Sequence, residues 1–180
     1  FLASLVIKII GLKENNTEFK TLISFQNSGY LPLAIVYSLL KPEEIKTAVL
    51  YIIFFLIGFN FIIWSWGINL FKHIKDYKDF NLFSLFSPPF IAGASLANLE
   101  FKMKLEKGIG EIIFIKLIII PLFFFLILYF LKPQYLIAFI ILLEAMMPSA
   151  TSLALISNVY GGNTKFISQG IFLTHLFSMV

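Results

Sequence analysis

The sequence predicts an all-α integral membrane protein, and three observations carry that prediction. Of 180 residues, 59% are hydrophobic and 13% charged, with a mean hydropathy of +0.90; soluble domains hold about half apolar and a quarter charged residues. The polar residues gather in short patches between apolar runs, several of them near the roughly 20 residues that cross hydrocarbon as a helix. Two of these runs are interrupted near their middles by proline in polar company, a pattern that leaves backbone groups needing partners at membrane depth.

Taken in order, Phe1 to Ile10 reads as the tail of one helix, with Lys8 near its end. Thr21 to Leu40 carries no charge but holds Gln26, Asn27, Gly29 and Pro32. Ala48 to Phe71 is the cleanest span, and its Trp64 and Trp66 stand towards the end, where an interfacial belt places them. From Lys72 to Lys107 the text changes: Lys72, His73, Lys75, Asp76, Lys78 and Asp79 form a solvated stretch, and Ser87-Pro88-Pro89 opens an apolar piece ending at Leu99, too short for two crossings. Gly108 to Leu131 resumes a span, with Lys116 inside it and Pro121 kinking it; Tyr135 to Tyr160 is interrupted by Glu144 and Pro148; Thr164 to Val180 begins a last helix. Five or six spans result. Phe1 and Val180 both lie inside apolar text, so the chain reads as cut at both ends, and no cleavable signal pattern opens it.

The net charge of +4 comes from lysine alone, fourteen against ten acids. If the spans alternate direction, ten lysines fall on one side, Lys41, Lys46 and Lys132 on the other, and Lys116 within a span; the positive-inside bias makes the ten-lysine side cytoplasmic. Thr21 to Leu40 then runs outward and Tyr135 to Tyr160 inward. Nucleic acid is not an expected partner, because no basic stripe is interleaved with exposed aromatics. Without cysteine there is no disulfide framework or thiolate chemistry. No metal set, cofactor motif or catalytic constellation such as Gly-x-Ser-x-Gly or His-Glu-x-x-His is present, so an enzyme is not expected.

The two interrupted runs carry the functional expectation. Gln26-Asn27-Ser28-Gly29-Tyr30-Leu31-Pro32 concentrates amide, hydroxyl and glycine; Glu144-Ala145-Met146-Met147-Pro148-Ser149-Ala150-Thr151 does the same in the other. The two run in opposite directions, and each is followed by a short loop and one further helix. That is the pattern of an inverted-repeat transporter bundle, in which two proline-broken crossover helices meet near the bilayer midplane and expose half-helix termini to a substrate. The plainer alternative is two ordinary membrane kinks. Glu144 stands one turn before Pro148; an acid at this depth either faces a polar cavity, as a proton-coupling or substrate-contacting group, or stays protonated as a structural hydrogen-bonding group. Asn27 fits the site and interhelical glue equally. Lys116 is expected to snorkel to the cytoplasmic interface, and His73 and His175 to be a solvated and a packed polar residue.

These residues resemble the auxin efflux carrier family, which includes plant PIN-type carriers and bacterial permeases. The matching text is Asn27-Ser28-Gly29-Tyr30-Leu31-Pro32-Leu33, Glu144 to Ala154, Tyr160-Gly161-Gly162-Asn163 and Ser168-Gln169-Gly170, with Lys116-Leu117 before Pro121, Trp64 with Gly67, and Ser87-Pro88-Pro89-Phe90-Ile91-Ala92. The resemblance implies ten helices in two inverted five-helix repeats, the fourth and ninth crossing at prolines, on a scaffold of the first, second, sixth and seventh. On that map residues 1–78 are helices three to five, residues 79–107 a cytoplasmic junction lacking scaffold helices between Ala92 and Ala97, and residues 108–180 helices eight to ten. The implied molecule is an excised transport domain.

The resemblance further implies a secondary transporter that moves a small organic anion, such as a carboxylate or auxin-like acid, by alternating access. Its partners are the lipid bilayer, the anion and, through Glu144, protons; a homodimer would form through scaffold helices absent here. No cofactor is implied. Expected substrate and crossover residues are Gln26, Asn27, Gly29, Tyr30, Pro32, Glu144, Pro148, Ser149 and Thr151. Lysine-only basic usage with abundant Ile, Phe and Asn points to an A/T-rich bacterial genome and the cytoplasmic membrane. The competing reading is a non-transporting sensor or assembly subunit, with a membrane-embedded enzyme behind it.

Overall fold

The computed structural model describes residues 2–71 and 105–179. The Lys72–Lys78 stretch, the Ser87-Pro88-Pro89 piece and most of the expected junction lie outside the described residues. Within them every regular element is helical: α1 (Leu2–Ile10), α2 (Asn16–Ser24), α3 (Tyr30–Leu39), α4 (Pro42–Phe71), α5 (Ile109–Leu131), α6 (Tyr135–Met146), α7 (Ser152–Tyr160) and α8 (Thr164–Ser178).

Local chemistry sets the boundaries. Gly11, at φ +61°, stops α1 in the left-handed conformation that glycine adopts without penalty. Pro42 opens α4 at the position where its missing N–H is not needed, and Glu44 reaches back to the Lys41 amide at 3.4 Å. Asn163 accepts from the Phe166 amide at 3.1 Å to cap α8. Pro121 does not end α5. A wider π-turn over Ile115–Ile119 immediately precedes it and absorbs the missing donor and the ring's clash with the previous turn. A second π-turn, Ile63–Gly67, falls in α4 at the Trp64 and Trp66 positions.

Among the described residues two helices are long and apolar enough to cross a membrane, α4 and α5, of 30 and 23 residues. Only 17% and 22% of their most apolar windows are buried within the molecule. Phe54, Phe61, Phe123 and Phe130 accordingly stand exposed on apolar faces that water would not tolerate. The expected single spans Thr21–Leu40 and Tyr135–Tyr160 are each two helices in series, α2 with α3 and α6 with α7, separated by non-helical residues. In the second, the break lies next to the proline: Met147, pushed to extended geometry by the following ring, ends α6. In the first it falls upstream. Pro32 sits in the first turn of α3, where its lost donor costs nothing, and the chain is already unwound between Ser24 and Tyr30.

The apolar core is in two clusters on either side of these breaks. One joins α2, α5, α7, α8 and the end of α4 through Phe19, Leu22, Phe71, Ile112, Ile156 and Phe166. The other joins α3, α6 and the start of α4 through Val36, Ala48, Ile52, Leu136, Ile140 and Leu143. Gly170 lets α8 close on α2, since a Cβ there would collide with Leu22. The loops beyond α1, before α5 and before α8 gather at one end. Asn163 donates its side-chain amide to Asn15 at 2.8 Å and its backbone N–H to Glu18 at 2.7 Å, and Lys165 pairs with Glu106 at 3.3 Å.

Candidate functional site at the paired helix breaks

A helix that stops inside an apolar environment leaves up to four carbonyls without partners. At the end of α2 three of them have one. Thr21 O accepts from the Phe25 amide at 3.0 Å, Leu22 O from the Ser149 hydroxyl at 2.8 Å, and Ile23 O from the Lys116 ammonium at 2.9 Å. Past the helix, Phe25 O accepts from the Ala150 amide at 3.0 Å, and the Asn27 amide donates to Pro148 O at 2.7 Å. These last two bonds form an isolated antiparallel bridge centred on Gln26 and Ser149. Each break supplies the backbone partners that the other lost.

Helix α8 braces the same seam. The Ser149 amide donates to the Thr174 hydroxyl at 3.2 Å, which donates to Ile171 O at 3.0 Å. Nδ1 of His175 lies 2.8 Å from Ile171 O and Nε2 lies 3.2 Å from the Asn27 side-chain nitrogen. A carbonyl can only accept and this amide nitrogen can only donate, so the arrangement assigns a neutral ring with its proton on Nδ1.

Beside the seam lies a cleft of about 730 Å³. Its polar lining is Ser24, Gln26, Lys116 and Glu144; Phe55, Ile119, Phe123, Phe124 and Ile141 supply apolar wall. Both ionisable residues are buried, each 2% exposed. They do not form an ion pair. Neither carboxyl oxygen of Glu144 has a hydrogen-bond partner among the described residues, and the Ser28 hydroxyl, close enough to interact with it, lies 3.4 Å from Gln26 O.

The expected residues thus fall into groups. Gln26, Asn27, Pro148 and Ser149 meet directly across the bridge, and Glu144 faces the adjoining cleft. Gly29 precedes α3 with open space around it, Thr151 precedes α7 without a side-chain capping bond, Pro32 is buried in α3, and Tyr30 is 80% exposed and lines no part of the cleft. The expectation that Lys116 snorkels is corrected. Its ammonium turns inward because an unpaired helix-end carbonyl in an apolar interior is a stronger attraction than an interface a turn or more away. Thr174 was not anticipated at all, and His175 was expected only to pack. The signal for Lys116 was its place in a span just before Pro121; for α8 a lone threonine and histidine gave none.

A chain whose described residues are helical, with exposed apolar faces and two unwound, mutually satisfied segments beside a charged cleft, has the make-up of a membrane transport protein. A family model described as "Membrane transport protein" matches residues 1–82 and 89–180, and the chain belongs to this family, the auxin efflux carrier family. It is a transport family, not an enzymatic one. No curated protein and no solved structure matches the chain.

Proposed function

We propose that the protein is a secondary transporter that moves a small organic anion, a carboxylate or auxin-like acid, by alternating access across a bacterial cytoplasmic membrane. In this reading α2–α3 and α6–α7 are the crossover helices of an inverted repeat, and Gln26, Asn27, Pro148 and Ser149 hold the crossing together. The observation that carries the reading is the antiparallel bridge between the breaks with the Lys116 and Glu144 cleft against it. Broken helices expose backbone dipoles where a solute must be held at mid-membrane without water.

Glu144 is the proton-coupling group. It is buried, lines the cleft and lacks an internal partner among the described residues, so a proton taken from one side has a defined place to ride. Charge is then balanced: the anion brings one negative charge and the proton removes the one on Glu144. The test is uptake of labelled organic acids by proteoliposomes containing the protein, with and without a pH gradient. Gradient-driven uptake that Glu144→Gln abolishes is the expected result. Uptake indifferent to both gradient and substitution would leave a uniporter with a structural glutamate, and no uptake of any acid would defeat the transport reading.

A further inference from the structure

Lys116 figures so far only as the donor that completes Ile23 O at the end of α2 and as part of the cleft wall, and it is a buried basic residue there. Three features set its function. Its ammonium is fixed, because it donates to Ile23 O at 2.9 Å at the carboxyl end of α2, where the helix dipole favours positive charge. It stands in the wall of the cleft, where the other ionisable lining residue is Glu144, with which it forms no ion pair, and most of the remaining wall is apolar. It carries three N–H donors, and among the described residues a single one is committed, to Ile23 O. A buried ammonium with donors in hand, in a cleft of roughly ligand size, is a carboxylate receptor, since burying an anion without a countercharge is prohibitively costly.

We propose that Lys116 is the anion-binding, charge-selecting residue of this cleft: held in place by Ile23, it takes the carboxylate of the transported acid and so discriminates organic anions from neutral and cationic solutes. The proposal rests on the transport reading for its substrate but not for its binding chemistry. The π-turn Ile115–Ile119 contributes by rotating this part of α5 out of regular register, and Lys116 lies within it.

The test separates charge from structure with two substitutions in the full chain. Lys116→Gln keeps an amide donor for Ile23 O and loses the charge; Lys116→Arg keeps the charge. Proteoliposome uptake of labelled acetate, phenylacetate and succinate is read alongside the rise in melting temperature that each acid produces. Expected for Lys116→Gln is a melting temperature without ligand within about 4 °C of the parent, with KM for the acids up by roughly tenfold or more. The stabilisation by acids disappears in it, and Lys116→Arg retains a measurable part of both. Parental KM in Lys116→Gln would overturn the proposal and leave the transport reading standing. If the parent takes up no acid, the transport reading fails, and the melting experiment then decides: acid-induced stabilisation lost in Lys116→Gln upholds Lys116 as the anion site, and its absence in the parent overturns it. Should Lys116→Gln fold poorly, a Lys116→Arg variant that loses acid stabilisation at an unchanged melting temperature also overturns it.

Discussion

At the scale of single residues, the site separates side chains that hold the break together from those that face the cleft. Ser149 is fully buried, and its hydroxyl and amide both make bonds at the seam, to Leu22 O and Thr174. Ser149→Ala removes the hydroxyl and strands a buried carbonyl, so it should destabilise the protein by about 1–3 kcal/mol. Thr151→Ala, two residues on at a half-buried side chain, should stay within about 0.5 kcal/mol. Thermal unfolding in a single detergent compares the two. The sequence distinguishes neither: both are small hydroxyl residues just past a proline, and only the antiparallel pairing decides which one points at α2. Glu144 was legible, because an acid in a long apolar run has few harmless explanations. Lys116 was legible as an anomaly but not in direction, since its partner is a backbone carbonyl 93 residues away, a group that every residue carries.

At the scale of elements, helix packing follows the small residues. Gly170 in α8 faces Leu22 of α2 without room for a Cβ, whereas Gly58 in α4 has nothing within 4 Å of where a Cβ would lie. Gly170→Val should therefore cost about 1–3 kcal/mol by forcing α8 away from α2. Gly58→Ala should be neutral or stabilise by up to about 1 kcal/mol, because alanine is the better helix former. Urea or thermal denaturation of the two variants reads opposite signs from the same type of residue. Apolar run lengths gave the existence and rough limits of α4, α5 and α6 directly. The first break was placed by sequence at Pro32; it begins directly after Ser24 and runs five residues to Gly29 instead, because a proline in the first helical turn loses no bond while Phe25 and Asn27 pair with the other break. Neither π-turn was foreseen; each is a shift of one hydrogen bond, below what periodicity resolves.

At the scale of the whole molecule, the lysine distribution and the fold agree on which ends belong together. Asn15, Glu18, Glu106, Asn163 and Lys165 meet at one end through hydrogen bonds and an ion pair, and these are the loops that charge bias assigns to the cytoplasm. The chain has no cysteine, so single substitutions report cleanly. In right-side-out vesicles a membrane-impermeant thiol reagent should label Lys132→Cys and leave Asn15→Cys unlabelled; inverted vesicles should give the reverse. The double variant Asn15→Cys with Asn163→Cys should cross-link under mild oxidation, because the two side chains are within 2.8 Å of each other. Labelling of both sites from one face would break the alternation on which the orientation rests. Membrane character and the matched interruptions were readable because lipid leaves few options for a broken helix. How the two interruptions satisfy one another was not, since the bonds are long-range and mostly backbone.

The mutual repair of the two breaks also has a consequence for how the protein is made. Ser149 lies 127 residues after Leu22 in the chain, and ribosomes add about 5–20 residues per second, so roughly 6–25 seconds separate their emergence. Until Lys116 is made, 93 residues after Ile23, the end of α2 has neither that ammonium nor the Ser149 hydroxyl, and throughout the interval the segment from Phe25 to Asn27 has no backbone partner from the second half. The first half must wait beside the insertion machinery, or with a chaperone that hides polar backbone from lipid, until the second arrives to complete it. Release into the bilayer is therefore gated by synthesis of the Pro148–Ala150 segment.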